Sequence, residues 1–337
     1  MSALEFDDTR LDDPELIRDE QLRWLAETGA RIRRACLSEP VGTLDPADRP
    51  RGVLVLGAEA RLIRAVLEPA CPVPLLAWPG PGLPAWVGPL DLVVALGGHQ
   101  AHEWEVACAY EAARRGATII VAAPESSPLA VAAASHATTL VPVAEGDPMA
   151  SAIVVLGQLG RLELGPAVNP ELVADAADLV AEACAPGKDL GANPAKDLAI
   201  GLADALPLVW GGTTLAARAS RRIAEALRRS SGRAALAADA DELETLLRAV
   251  PPRDPFSDPV ESGGDLTPVL LLLDDDKVLD RLAEVPRRLT SIAEAVGVRV
   301  CRISSGEPSL GSSDVERYVN LLQHGRYAAA YLRVGLT

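Results

Sequence analysis

Positive charge is what this 337-residue sequence is short of: 32 lysines and arginines stand against 47 aspartates and glutamates, a net charge of −15. That balance excludes a large nucleic-acid footprint or attraction to an anionic membrane, both of which need a basic surface. A small anionic ligand in a locally positive pocket stays compatible with it. Long apolar runs are lacking too. Segments such as Gly52 to Gly57 and Val269 to Leu273 are strand-length, well under the roughly 18 residues that cross a bilayer. The opening of the chain carries Asp7, Asp8, Asp12, Asp13, Glu15, Asp19 and Glu20, the reverse of a basic leader, which implies a cytoplasmic protein.

Cysteine is sparse and unpatterned. Cys36, Cys71, Cys108, Cys184 and Cys301 are odd in number and include no CxxC pair, which argues for small buried hydrophobes in a reducing compartment rather than a disulfide framework or zinc cluster. His99, His102 and Glu103 are spaced i, i+3, i+4 without forming HExxH, and read as the polar start of a helix rather than a metal site. Asp274, Asp275 and Asp276 read as a solvated turn opening a helix, not a magnesium site. Neither a metal nor a cofactor is expected. Arg218, Arg221, Arg222, Arg228 and Arg229 read as an exposed helix face, with phosphate or subunit contact as the functional alternative.

What is present is a chain that is 49% hydrophobic and long enough for about two domains. Asp13 and Pro14 suggest the cap and first residue of a leading helix whose stripe, Leu16, Ile17, Leu22 and Leu25, ends near Gly29. Apolar runs at 53–56, 92–96, 118–122 and 138–143 then alternate with helical stretches, and their unbroken apolarity marks strands buried on both faces of a parallel sheet. The turn-rich stretch Leu164 to Pro170 reads as a domain junction. A second α/β unit follows, with a helix near 195–203, a strand at 206–210, a helix at 215–229 and strands at 269–273 and 298–303. The stretch from Gly232 to Ala240 fits helix or strand. Pro251 to Pro268, with five prolines, reads as an irregular loop. The boundaries are a helical segment 1–45, a first domain 46–165 and a second 166–337.

In such sheets ligands lie beyond the carboxyl ends of the strands, where helix N-termini offer free N–H groups. The exit loops are Gly57-Ala58-Glu59-Ala60, Gly97-Gly98-His99-Gln100, Pro124-Glu125-Ser126-Ser127, Gly211-Gly212-Thr213-Thr214 and Ser304-Ser305-Gly306. Glycine lets backbone approach a phosphate, and serine or threonine hydroxyls bond its oxygens. Gly57, Ala58, Gly97, Gly98, His99, Gln100, Ser126, Ser127, Gly212, Thr213 and Thr214 are therefore the candidate phosphate-binding residues. None of these loops is GxGxxG or GxxxxGK[ST], so the usual dinucleotide and P-loop sites are not supported.

The strand–loop–helix from Asp91 to Thr118, the run Asn193-Pro194-Ala195-Lys196-Asp197-Leu198-Ala199, Pro207 to Gly211 leading to Ala216-Ala217-Arg218, Asp254-Pro255-Phe256 and the final Tyr327 to Leu336 occur in an order that resembles the bifunctional phosphoglucose/phosphomannose isomerases, and especially their divergent actinobacterial members. The resemblance covers about residues 50 to 335. It implies an α/β fold of two sugar-isomerase (SIS) type doubly wound parallel-sheet domains behind an N-terminal helical segment, a sugar phosphate ligand such as mannose 6-phosphate, and a homodimer. The departures bear on activity. The family's Ser-Gly-Asn-Thr phosphate loop corresponds to Gly97-Gly98-His99-Gln100. Its base, a glutamate in a Glu-Asn-Ala-Lys type motif, corresponds to Ser230-Ser231-Gly232-Arg233. Its ring-opening histidine has no counterpart around Asp241-Glu242-Leu243-Glu244, and Thr337 precedes the family's lysine-bearing last helix. A positioned base and a ring-opening group are each worth roughly 10²- to 10⁴-fold. The expectation is a phosphosugar-binding protein with impaired isomerase activity. Glu242 or Glu244 as substitute base, with His99 or His324 for ring opening, would give an active isomerase. A partner-binding scaffold is the third reading.

Overall fold

The computed structural model describes residues 6–42, 49–99, 101–250, 267–275, 284–306 and 313–336. The chain begins with two 3-10 turns, Asp8–Asp12 and Pro14–Arg18, and then α1 (Glu20–Ala26) and α2 (Thr28–Leu37). The single helix read from Asp13 to Gly29 is thus broken. Asp13 accepts from the Glu15 N–H at 2.8 Å and Asp19 from the Leu22 N–H at 2.9 Å, and a side-chain cap of this kind starts a new turn instead of continuing the old one. Gly29 is buried within α2 and ends nothing.

Packing divides the chain into two compact units, residues 28–175 and residues 1–27 with 176–337. The first 45 residues, read from the sequence as one segment, are therefore shared between the two. In the unit 28–175 the elements are β1 (Val53–Gly57), α3 (Ala60–Leu67), β2 (Leu75–Ala77), β3 (Leu92–Leu96), α4 (Glu103–Arg114), β4 (Thr118–Ala123), α5 (Pro128–Ala133), β5 (Thr138–Pro142) and α6 (Pro148–Arg161), with α7 (Pro170–Ala183) beginning here. All strand pairs are parallel, in the order β2-β1-β3-β4-β5. Leu54, Val93, Ile119 and Val121 join Cys108, Ala109 and Ala112 of α4 in the core, which accounts for the continuous apolar runs. At the β5 edge Val41 pairs antiparallel with Leu140. β2 carries no strand signal of its own, being three residues long and preceded by Pro72 and Pro74; pairing with β1 makes it a strand.

The other unit contains α8 (Pro194–Gly201), β6 (Ala205–Gly211), α9 (Thr214–Ser231), β7 (Leu236–Ala237), α10 (Ala240–Arg248), β8 (Thr267–Asp274), α11 (Glu284–Ala295), β9 (Arg299–Ser304) and α12 (Asp314–Leu336). Its sheet is parallel in the order β7-β6-β8-β9. The ambiguous stretch 232–240 supplies β7. Most of the proline-rich loop, with Asp254 to Phe256, lies outside the described residues. Helix α12 is buried along most of its length, including Tyr318, Tyr327 and Tyr331. It packs on α8 and α9, close enough that a Cβ on Gly325 would overlap Ile223. Lys196 of α8 is 1% exposed; it donates to the carbonyls of Pro186 (3.0 Å) and Lys188 (2.7 Å) and pairs with Asp12 at 3.2 Å. Among the described residues no helix is long and apolar enough to cross a membrane.

Only two cysteines follow the expectation of burial. Cys108 and Cys184 are buried, Cys71 and Cys301 partly so, and Cys36 is exposed on the last turn of α2. Burial pushes the Cys184 thiol up to about 12.

Candidate functional site

In the unit 28–175, register sets the exit loops side by side. Gly57 lies opposite Leu96, and Leu96 opposite Ala122. The loops Gly57-Ala58, Gly97-Gly98-His99 and Ser126-Ser127 therefore follow one another along the carboxyl edge of the sheet. The strand order reverses between β1 and β3, since β1 is followed in the chain by its outer neighbour β2 and then by β3 on the other side. Loops diverge at such a reversal and leave a crevice.

The glycines there serve the protein's own packing first. Gly57 has φ +106°, and a Cβ would fall on the Leu96 carbonyl. A Cβ on Gly97 would collide with the Leu129 side chain, and one on Gly98 would come 2.8 Å from the Gly146 carbonyl oxygen. Ser127 is buried and its hydroxyl accepts from the Ala130 N–H at 3.2 Å, capping α5. Ala58, His99 and Ser126 are exposed, so these three, with the backbone around them, face solvent at the loops. Gln100 lies outside the described residues. Glu59, which no sequence signal singles out, is 1% exposed at the start of α3.

In the other unit the loop after β6 is tied into a buried network. Thr213 caps α9, accepting from the Ala216 N–H at 3.1 Å, and donates to Asp275 at 2.6 Å. The second oxygen of Asp275 accepts from Arg317 Nε at 2.8 Å, and Arg317 also engages Asp314. Asp275 is 5% exposed. The reading of the aspartate run as a solvated turn is corrected here for two of its members: Asp275 is buried against Thr213 and Arg317, and Asp274 pairs with Arg302 at 3.1 Å. Asp276 lies outside the described residues. Thr214 is exposed, and Gly212 lies where a Cβ would come 2.7 Å from the Trp210 ring.

Registry places Asp274 opposite Ser304. The β9 exit therefore adjoins Asp275, with Ser305 buried and Gly306, at φ +88°, placed where a Cβ would come 3.8 Å from the Asn320 side chain. The Asn320 side-chain oxygen is buried without a hydrogen bond among the described residues. One turn further along α12, His324 Nδ1 lies 3.0 Å from the Asn320 carbonyl oxygen. Burial lowers the His324 pKa from its ordinary 6.5, with the Asn320 contact opposing, which leaves a neutral imidazole at neutral pH. Arg317, Asn320 and His324 share a face of α12 by their i, i+3, i+7 spacing. Arg317 and Asn320 escaped sequence reasoning, because their chemistry depends on strands distant in the chain.

The remaining candidates are in structural use. Glu242 accepts from the Asp239 N–H at 3.3 Å in the capping box of α10. Glu244 is held by Arg248 at 2.8 Å and Arg288 at 3.2 Å. Ser230 to Arg233 closes α9, with Gly232 at φ +67° as its cap. Because α9 starts at the β6 exit and runs back along the sheet, that stretch lies at the opposite edge from the exit loops. His102 begins α4, its N–H donating to Glu105 at 2.9 Å, and its ring stacks on Trp104. Among the described residues no group of three histidine, cysteine or acidic side chains could hold a metal ion.

Comparison with known proteins matches residues 191–335 to the bacterial phospho-glucose isomerase C-terminal SIS domain. Several solved structures share the fold. A glucose-6-phosphate isomerase like protein from Thermus thermophilus is 18% identical, with TM-score 0.52, 96% of this chain and 92% of that one covered. The tagatose-6-phosphate ketose/aldose isomerase of Escherichia coli is 14% identical, with TM-score 0.62 and coverage of 97% and 90%. The C-terminal domain of glucosamine-fructose-6-phosphate aminotransferase from Francisella tularensis is 9% identical, with TM-score 0.63 and coverage of 93% and 95%. No curated protein matches the sequence. At these identities the likeness is one of fold.

Proposed function

Since residues 191–335 match a SIS domain of the bacterial phospho-glucose isomerase C-terminal type, we propose that the protein binds a sugar phosphate at the exit loops of the unit 28–175 and isomerises it poorly or not at all. The observation that carries this reading is the pair of loops Gly57-Ala58 and Gly97-Gly98-His99 flanking the strand-order reversal between β1 and β3, with Ser126-Ser127 next to them after β4. A dianionic phosphate in a chain of net charge −15 needs local donors. The backbone opening α3, the Ser126 hydroxyl and the exposed His99 ring are groups that could supply them. Proton transfer between C1 and C2 of a sugar needs a free base near its working pKa. Glu242 is occupied by capping and Glu244 by two arginines, so binding is favoured over turnover.

A second reading, an active aldose-ketose isomerase, gains support from one place. His324, kept neutral by burial, shares the face of α12 with Arg317 and Asn320 and could open a sugar ring as a general acid–base group. A non-catalytic scaffold is the third. The reading extends, by family likeness, to ligands of mannose and glucose metabolism, a homodimer and a cytoplasmic setting.

Thermal-shift titration against mannose 6-phosphate, glucose 6-phosphate, fructose 6-phosphate and 6-phosphogluconate tests it, followed by a coupled isomerase assay on each binder. A ligand at 100 times its Kd should stabilise by about 2.7 kcal/mol. Stabilisation without turnover is the expected result, and it should weaken in Ser126→Ala and His99→Ala. Turnover abolished by His324→Gln would establish the isomerase instead, and no stabilisation by any sugar phosphate would leave the scaffold.

A further inference from the structure

Away from the strand exits, the unit 28–175 contains a cleft of about 310 Å³ between the end of α2, the outer face of α6 and the segment 167–170. Its shape is built into the sequence. Gly157 and Gly160 leave α6 without side chains where the following segment passes: a Cβ at Gly160 would come 3.0 Å from the Pro166 carbonyl oxygen, and one at Gly157 3.5 Å from the Pro170 ring. On this side the hollow is bounded by backbone and rigid proline. Val154 and Val168, both buried, give it an apolar wall.

The polar lining is unusual for this surface. Nearby arginines on α2 are taken up by carboxylates, Arg33 by Glu171 and Asp175 and Arg34 by Glu145. Arg161 and Glu39, both lining the cleft and both exposed, pair neither with each other nor with any other described residue. Burial and the Glu171 carboxylate raise the pKa of Cys36 in the same cleft, with Arg161 opposing, so the thiol is neutral and the charges of the lining sum to zero. The cleft therefore offers one guanidinium, one carboxylate, the neutral polar side chains of Ser38 and Gln158, and an apolar wall. A dianionic sugar phosphate matches this poorly, because Glu39 repels it and Arg161 is the one cation among the described residues of the lining.

We propose that this cleft is a second binding site, for a small apolar α-amino acid, with Arg161 receiving the carboxylate, Glu39 the ammonium group, and the wall at Val154 and Val168 the side chain. A guanidinium binds a carboxylate in its planar fork, and the volume is at the lower end of small-molecule sites. The site is separate from the sugar phosphate loops and stands whether or not they bind.

Calorimetric titration of the full chain with L-leucine, L-valine, L-methionine and L-phenylalanine tests this, with 4-methylpentanoate and isoamylamine as leucine analogues lacking the ammonium and the carboxylate. At least one amino acid should bind, and each leucine analogue should bind about tenfold or more weakly than leucine, the equivalent of one charge-assisted bond. Arg161→Gln and Glu39→Gln should each weaken binding by a similar factor. Both positions are exposed, and circular dichroism melts confirm folding. Should a variant fail to fold, the comparison of analogues still decides. Absence of binding by all four amino acids, equal binding of 4-methylpentanoate, or binding unchanged in both folded variants would overturn the proposal. Saturating glucose 6-phosphate should leave the titration unchanged, and competition between the two would also overturn it.

Discussion

Asp275 illustrates how much a single side chain depends on its surroundings. Its carboxylate takes the Thr213 hydroxyl on one oxygen and Arg317 on the other, and all three groups sit at strand exits or helix starts. Removing one partner of a buried ion pair leaves an uncompensated charge, which costs about 3 kcal/mol. Asp275→Asn should lower stability by about that amount in urea unfolding, and adding Arg317→Met should recover part of it, since an apolar replacement removes the stranded charge. A loss under about 0.5 kcal/mol would mean that Asp314 alone satisfies Arg317. The loop Gly212-Thr213-Thr214 was legible in the sequence as a strand exit. The network was not, because Arg317 lies 42 residues beyond Asp275 and no local pattern announces a partner at that separation.

At the scale of elements, apolar runs and caps were readable where the signal is local. β1, β3, β4 and β8 appear close to their expected positions, and α9 begins after the threonine that caps it. Misreadings arose where two local signals competed. Asp13 and Asp19 could each begin a helix, and both do, so the stripe through Leu16 and Leu25 crosses a break. Helix contacts were hidden too. Gly325 lies inside α12, where alanine normally gains about 1 kcal/mol over glycine, yet its added methyl would overlap Ile223 of α9. Gly325→Ala is therefore expected to destabilise by about 1 to 3 kcal/mol. Measured by denaturation, Gly325→Ala with Ile223→Val should lose less than the sum of the two single changes. Additive losses would show that the helices do not meet there.

For the molecule as a whole, net charge governs behaviour that no single contact controls. With 15 uncompensated negative charges, self-repulsion opposes the compact state, and salt weakens it over a screening length of about 10 Å at 0.1 M. The Tm should rise from low salt to 0.5 M sodium chloride. A falling Tm would show that surface ion pairs such as Arg33 with Glu171 and Asp175 outweigh the repulsion. Charge, the alternation of buried strands and helices, and so the two parallel sheets follow from the order of residues alone, because hydrophobic periodicity and capping act over a few positions. Folding in three dimensions was needed to pack residues 1–27 with 176–337, to occupy Glu242 and Glu244, to bury Asp275, and to bring Arg161 and Glu39 to one cleft. Those outcomes depend on which distant segments meet, and burial and pairing have no local signature before they do.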